Sequence, residues 1–188
     1  SRMILGKTVD KLNLTTVASP NYFPFIGKGL ARIQGEQNTI SIRRFEVPSH
    51  VDVSVFTLLV TDPEAGHFEL IDNNERIILS GRVGELSQQG DFALFVSQLA
   101  ANDGASFAVL KRSRLDAIQW LQQNLSVSER GKQTGILQLS LTGENRRDIE
   151  KILNDISQNY FLQNVERNSA EAENSLKFLR AHLPDIKN

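Results

Sequence analysis

Cysteine is absent from the 188 residues of this chain, which excludes disulfides, thiolate metal sites and thiol nucleophiles together. Histidine is scarce, and His50, His67 and His182 stand apart with no metal-ligand spacing. No apolar run approaches the ~20 residues that a membrane span needs, and the N-terminus lacks the apolar stretch of a signal peptide. A net charge of −1 gives no whole-chain reason to expect nucleic acid or an anionic membrane as partner. What remains is 40% hydrophobic and 23% charged, ordinary for one globular domain or two small ones sharing a core. The chain opens directly into helical sequence and closes on a helix cut short. It therefore reads as a fragment, and lost flanking segments could hold membrane spans.

The clearest positive signal is a long helix over residues 144–183. Ile149, Ile152, Leu153, Ile156 and Tyr160 recur at spacings of three and four and form one stripe. Beyond it the phase changes. Leu162, Val165, Ser169, Ala172, Leu176, Leu179 and Leu183 form a seven-residue repeat, a coiled-coil seam with one polar and one small member. A helix of this length spans about 60 Å, against a radius of gyration of about 15 Å for a compact 150-residue domain. Its second half is therefore expected to project, with a seam that this chain alone does not cover. Asn145, with Asp148 three positions on, suits its N-cap.

In chain order, Met3–Leu12 is expected to form a short amphipathic helix. Leu14–Val17 is a candidate strand stopped by Ser19-Pro20. Residues 21–38 read as irregular, with Tyr22, Phe23, Phe25 and Ile26 as core plugs and a turn of helix near Leu30. Six short strands follow between Thr39 and Arg112. Ile40 and Ile42 fall on one phase and Phe45 and Val47 on the other, so Arg43-Arg44 marks a β-bulge. Val53–Thr61 is β-branched and ends at Asp62-Pro63. His67–Ile71 and Arg76–Arg82 flank a hairpin loop at residues 72–75. Phe92–Val96 is apolar on both faces, which predicts a buried central strand within Asp91–Leu99, and Phe107–Leu110 is the sixth. Six strands with tight turns point to an antiparallel barrel or sandwich of about seventy residues. Leu115–Leu125 reads as a helix, Ser126–Thr134 as a polar loop, and Gly135–Thr142 as a strand running into the long helix. The expected organisation is α+β: an α/β module of residues 1–20 and 113–188, with an all-β insertion at 21–112.

The search for chemistry is mostly negative. Residues 128–133 superficially resemble a phosphate loop. The Gly and hydroxyl positions that such a loop requires are Ser126 and Gln133 here, so both tests fail. Asp62 with Glu64, or Asp72 with Glu75, could pair as acid and base, but both pairs sit in turns where carboxylates are solvated. Arg43-Arg44, Lys111-Arg112-Arg114 and Arg146-Arg147 could bind an anionic saccharide or lipid phosphate; exposed strand and helix faces explain them more cheaply. Asn13-Leu-Thr15 and Asn124-Leu-Ser126 fit the glycosylation sequon only as short matches. No catalytic, cofactor-binding or metal residue is assigned.

Several stretches carry a family resemblance. Ser126-Val-Ser-Glu-Arg-Gly-Lys132, Gly135-Ile-Leu-Gln-Leu-Ser140 and Ile149-Glu-Lys-Ile-Leu-Asn154 resemble the periplasmic module of bacterial polysaccharide co-polymerases, the Wzz-type chain-length determinants. Asn159-Tyr160, Gln163-Asn-Val-Glu-Arg167, Ser169-Ala-Glu-Ala172 and Ser175-Leu-Lys-Phe-Leu179 are closer to the Wzc-type tyrosine autokinases of capsule and exopolysaccharide export. Ser1-Arg-Met-Ile-Leu-Gly-Lys-Thr-Val9 and Phe23-Pro-Phe-Ile-Gly27 match that branch too.

The resemblance implies a fold: a co-polymerase base module with a long helix and an inserted small β-barrel. It implies a place, the periplasmic face of the bacterial inner membrane. It also implies a role: a non-catalytic assembly domain controlling polysaccharide chain length, polymerisation and export, within a tyrosine kinase. ATP and magnesium belong to the kinase domain, which this chain does not contain. Expected partners are further copies of the chain, the polysaccharide polymerase and an outer-membrane exporter, with a glycan or lipid-linked saccharide as a further candidate ligand. The candidate oligomerisation seam is Leu162, Val165, Ala172, Leu176, Leu179 and Leu183. Rival readings are a carbohydrate-binding β module using Tyr22, Phe23 or Trp120, and a chain-length determinant without a kinase.

Overall fold

The computed structural model describes residues 1–21, 38–52, 54–132 and 135–183. These fall into two compact units, Val9–Ala117 and Ser1–Thr8 with Ile118–Asn188. The aromatics expected as core plugs, Tyr22, Phe23 and Phe25, lie outside the described residues, as does the helical turn expected near Leu30.

In the first unit, eight strands form two antiparallel sheets. β1 (Thr16–Pro20), β3 (Val55–Asp62), β4 (His67–Ile71), β5 (Ile77–Arg82) and β8 (Ser106–Lys111) build one, in the order β1-β8-β3-β4-β5. β2 (Thr39–Glu46), β6 (Leu86–Gln89) and β7 (Phe92–Ala100) build the other, in the order β2-β7-β6. Alternation sends Phe56, Leu58 and Val60 of β3, Phe68 and Leu70 of β4, and Phe107 and Val109 of β8 to one face. Phe45, Leu94 and Val96 of the second sheet complete that core, and the rings of Phe45 and Phe56 meet edge to face at 5.5 Å.

The sheets do not close into the expected barrel among the described residues. At the β5–β6 corner the Val83 N–H donates to the Gly66 carbonyl and the Gly84 N–H to that of Val96 on β7. β1 extends to Pro20 at the edge of its sheet rather than stopping before Ser19-Pro20, because an edge strand tolerates a residue without an N–H.

The bulge is where the phase slip placed it. Ile42 pairs with Val96 and Arg44 with Phe95, so Arg43 is skipped, while on the partner strand Ser97 is skipped between Gln98 and Val96. These compensating shifts bring Phe45 into register with Leu94 on the core face. β7 is central, and its second face is buried at Ala93 but only partly so at Phe95. Leu94 and Val96 are fully buried, whereas Phe95 is only partly covered, because its cross-strand neighbours Arg44 and Leu86 are exposed.

Gly81 of β5 lies opposite Phe68. A Cβ added there would stand 2.6 and 2.8 Å from Phe68 ring carbons, and that ring is buried with no room to retreat. Gly81→Ala is therefore expected to destabilise the unit by about 1–3 kcal/mol, the usual range for overpacking, read as a lower urea midpoint.

The second unit holds β9 (Leu125–Glu129) paired with β10 (Leu137–Leu141). The polar loop expected at Ser126–Thr134 is thus a strand in its first part. It escaped notice because cross-strand pairing puts Ser126 opposite Ser140 and Ser128 opposite Gln138, an all-polar face. Helix α1 (Arg2–Leu12) buries Ile4, Leu5, Thr8 and Val9 along one stripe. Helix α2 (Arg114–Asn124) is capped by Ser113, whose hydroxyl accepts the Asp116 N–H at 3.0 Å.

Helix α3 (Arg146–His182) starts at Asn145, whose side chain accepts the Arg147 and Asp148 N–H groups as expected. Gly143 sits ahead of it because a Cβ would press on Ile149 at 3.3 Å. In the first half of α3, Ile152, Asp155 and Ile156 are buried. A polar clip holds this half: Asn159 donates to the Asp155 carboxylate at 3.0 Å and to the Thr8 hydroxyl at 3.1 Å. Among the described residues no helix is long and apolar enough to cross a membrane.

Candidate self-association seam

Beyond Asn159, α3 meets different surroundings. From Tyr160 to Leu183 every residue is exposed except Gln163 and Asn164, which are partly covered. Leu162 is 56% exposed, Val165 45%, Leu176 53%, Leu179 55% and Leu183 56%, and Ser169 and Ala172 are exposed with them. At about 100° per residue these seven positions occupy an arc of about 100°. That arc faces away from Ile149, Ile152, Leu153 and Ile156. One helix thus carries two apolar faces, of which only the first is covered.

The seam has a member that the three-four rhythm leaves out. Phe161 is 66% exposed and stands about five turns before Leu179 on the same line of the helix. It adjoins Leu162 in sequence, so a period count skips it; a helical projection finds it. Phe178 is exposed on the opposite side, where its ring stacks on His182 at 4.1 Å and the Phe178 carbonyl lies 2.8 Å from His182 Nδ1. Arg180 and His182 in the last turn suit the partial negative charge of a helix C-terminus.

Several of the other candidate groups have partners within the chain. Asp62 accepts the Ala65 N–H at 3.0 Å and, with Glu64, borders an open, shallow depression. Asp72 organises its hairpin loop by accepting the N–H groups of Asn74 and Arg76, and Glu75 sits there at φ 61°. Lys111 Nζ donates to the Phe45 carbonyl at 2.6 Å and to the Thr15 hydroxyl. Arg112 Nε donates to the Leu14 carbonyl, and burial lowers the pKa of both cations. Arg114 grips Asp10 with two bonds, at 2.7 and 3.0 Å. The sequon residues Asn13 and Asn124 donate to the carbonyls of Ile42 and Trp120. Trp120 is partly buried near Gly143.

Two of these carboxyls set an acid response. The Arg114 hydrogen bond holds Asp10 below its ordinary pKa of 3.8, and the Arg76 N–H, followed by desolvation in opposition and the Asn74 N–H, does so for Asp72. A depressed carboxyl contributes stability that is complete above its unfolded pKa and is lost as pH falls through the folded one. The urea midpoint is expected to hold steady from neutral pH down to the ordinary aspartate range and to fall below it. Asp10→Asn should flatten part of that fall.

The family described as the tyrosine-protein kinase Wzc N-terminal domain matches residues 16–112, slightly more than half of the chain. The chain belongs to this Wzc N-terminal domain family. Its relatives extend the similarity to all 188 residues and so include the seam. A Klebsiella pneumoniae protein named as a tyrosine-protein kinase in the cps region is 43% identical over 192 residues. Tyrosine-protein kinase etk of Escherichia coli K12 and tyrosine-protein kinase wzc of Salmonella typhimurium are each 37% identical over 188 residues. All three match 100% of this chain, and the chain spans only 26% of their length. Among solved structures, FlgL of Xanthomonas campestris aligns over 88% of this chain and 50% of its own at 16% identity, with a TM-score of 0.35. That score carries no shared fold.

Proposed function

We propose that this chain is the periplasmic, non-catalytic assembly domain of an inner-membrane tyrosine kinase that controls polysaccharide chain length, polymerisation and export. The observation that carries the reading is the uncovered heptad seam on α3: an apolar surface of this length favours association, and a seven-residue repeat suits another helix. Membership of the Wzc N-terminal domain family supports the kinase context, as do relatives named for tyrosine kinases and for AmsA and EpsB. In this reading the unit containing α3 is the base module of the polysaccharide co-polymerases. Further copies dock through the seam and bring kinase domains together for phosphorylation in trans. ATP and magnesium serve the kinase domain, and this chain needs neither. The polymerase and exporter engage the assembled form.

The test is Leu176→Glu with Leu179→Glu in the full-length parent. Autophosphorylation should drop and polymer length should change, while the protein accumulates normally. Wild-type phosphorylation and wild-type polymer in that variant would contradict the reading.

A further inference from the structure

We infer that the bulged edge strand β2 opens locally while β3 and β8 stay folded, and that a clasp of Asn13, Thr15 and Lys111 holds it shut. The three side chains form one continuous chain of hydrogen bonds. Asn13 Nδ2 donates to the Ile42 carbonyl at 3.3 Å, and Thr15 Oγ1 donates to Asn13 Oδ1 at 3.3 Å. Lys111 Nζ donates to Thr15 Oγ1 at 3.2 Å and to the Phe45 carbonyl at 2.6 Å. Both ends of the chain are thus carbonyls of β2. They lie on either side of Arg43, the residue that the pairing with β7 skips.

β2 depends on this clasp because little else holds it. Its one ladder partner among the described residues is β7, and that ladder breaks between Ser41 and Ile42 and again between Ile42 and Arg44. Phe45 is the only buried residue of the strand. An interrupted ladder with few buried contacts marks a segment that opens below the free energy of global unfolding. Phe45 is therefore held at two points, its ring on Phe56 at 5.5 Å and its carbonyl by the ammonium.

Lys111 is the stronger half of the clasp. Its bond to Phe45 is charge-assisted, roughly twice as strong as a neutral one, whereas the Asn13 link is neutral and longer. The lysine stands on β8, which is paired on both sides, with β1 and with β3. Burial lowers its pKa, and the Glu46 carboxylate opposes that shift. An ammonium drawn partly from water needs its hydrogen-bond partners, so Nζ is fixed by Phe45 and Thr15. Opening of β2 uncovers one edge of β7, whose freed N–H and C=O groups can pair with another extended chain. The clasp thus also keeps that edge closed.

Amide hydrogen exchange at a series of low urea concentrations tests both parts. In the wild type, β2 amides should exchange faster than those of β3 and β8, with almost no dependence on urea, because a local opening exposes little surface. Lys111→Met keeps the stem and removes the ammonium. Its β2 amides should exchange roughly tenfold faster or more, still with a flat urea dependence, and Lys111→Arg should recover most of the protection. Wild-type β2 amides with the rates and urea slope of β3 and β8 would overturn local opening. Unchanged β2 exchange in Lys111→Met would overturn the clasp, and an arginine variant no better than methionine would overturn the role of the charge. Asn13→Gly, which suits the φ of 53° at that position, serves if Lys111→Met does not fold. It should speed β2 exchange by a smaller factor, and wild-type rates there would overturn the clasp.

Discussion

Leu94→Asp is expected to unfold the eight-stranded unit. Leu94 is fully buried on the core face of β7, opposite Phe45 and in the cluster that includes Phe56, Phe68 and Val96. Removing a buried leucine side chain costs about 2–5 kcal/mol, and an unpaired carboxylate in its place adds several more. Domain stability is only about 5–15 kcal/mol in total, so the native population of this unit should collapse. Phe95→Asp, one residue along, is the internal comparison. Phe95 points to the partly exposed face beside Arg44, and about 1 kcal/mol is the expected cost. Urea titrations followed by far-UV circular dichroism separate the two. A Leu94→Asp chain that keeps the wild-type midpoint, or a Phe95→Asp chain that falls as far, would show that the β7 faces are reversed.

Leu176→Glu with Leu179→Glu is expected to abolish self-association without loosening either unit. Both leucines are more than half exposed, and surface substitutions of this kind stay within about 0.5 kcal/mol. The effect on association is larger. Covering the exposed half of a leucine contributes roughly 1 kcal/mol. The five large seam residues on two copies therefore supply roughly 10 kcal/mol, against an association cost of about 4–15 kcal/mol. For the proposed self-association this balance predicts a weak, reversible contact, which Ser169 and Ala172 soften further at the centre. Losing four leucine contacts per pair and apposing four carboxylates removes more than that balance holds. Helicity at low protein concentration should be unchanged, because the first half of α3 stays clamped by Ile152, Ile156 and the Asp155–Asn159–Thr8 clip.

Much of this architecture could be read from residue order, and the exceptions share a cause. The Arg43 bulge, the Asn145 cap and the two phases of α3 were legible because each is a local break in a period of two or of 3.6. β6 and β9 were not. Leu86–Gln89 and Leu125–Glu129 are strands by virtue of their partners, and serine and glutamine occupy the positions where alternation would have announced them. The closed barrel was a reasonable extrapolation from six short strands. What decides against it is the strand pairing, which leaves β1 and β5 as the edges of one sheet and β2 and β6 as those of the other among the described residues; composition does not set it. Asp155 is a buried carboxylate beside the apolar stripe of α3; its partner Asn159 also donates to Thr8, 151 residues away in the chain. Phe161 was missed for a different reason, since a seam defined by spacings of three and four admits one residue per turn.

Sedimentation equilibrium of the wild-type chain and the Leu176→Glu, Leu179→Glu variant, over a range from low micromolar to near-millimolar concentration, bears most directly on the seam. The average mass of the wild type should climb with concentration while the variant stays at the monomer mass throughout. A wild-type chain that remains monomeric across the whole range, or a variant that associates as the wild type does, would contradict the assignment of α3 as the self-association surface.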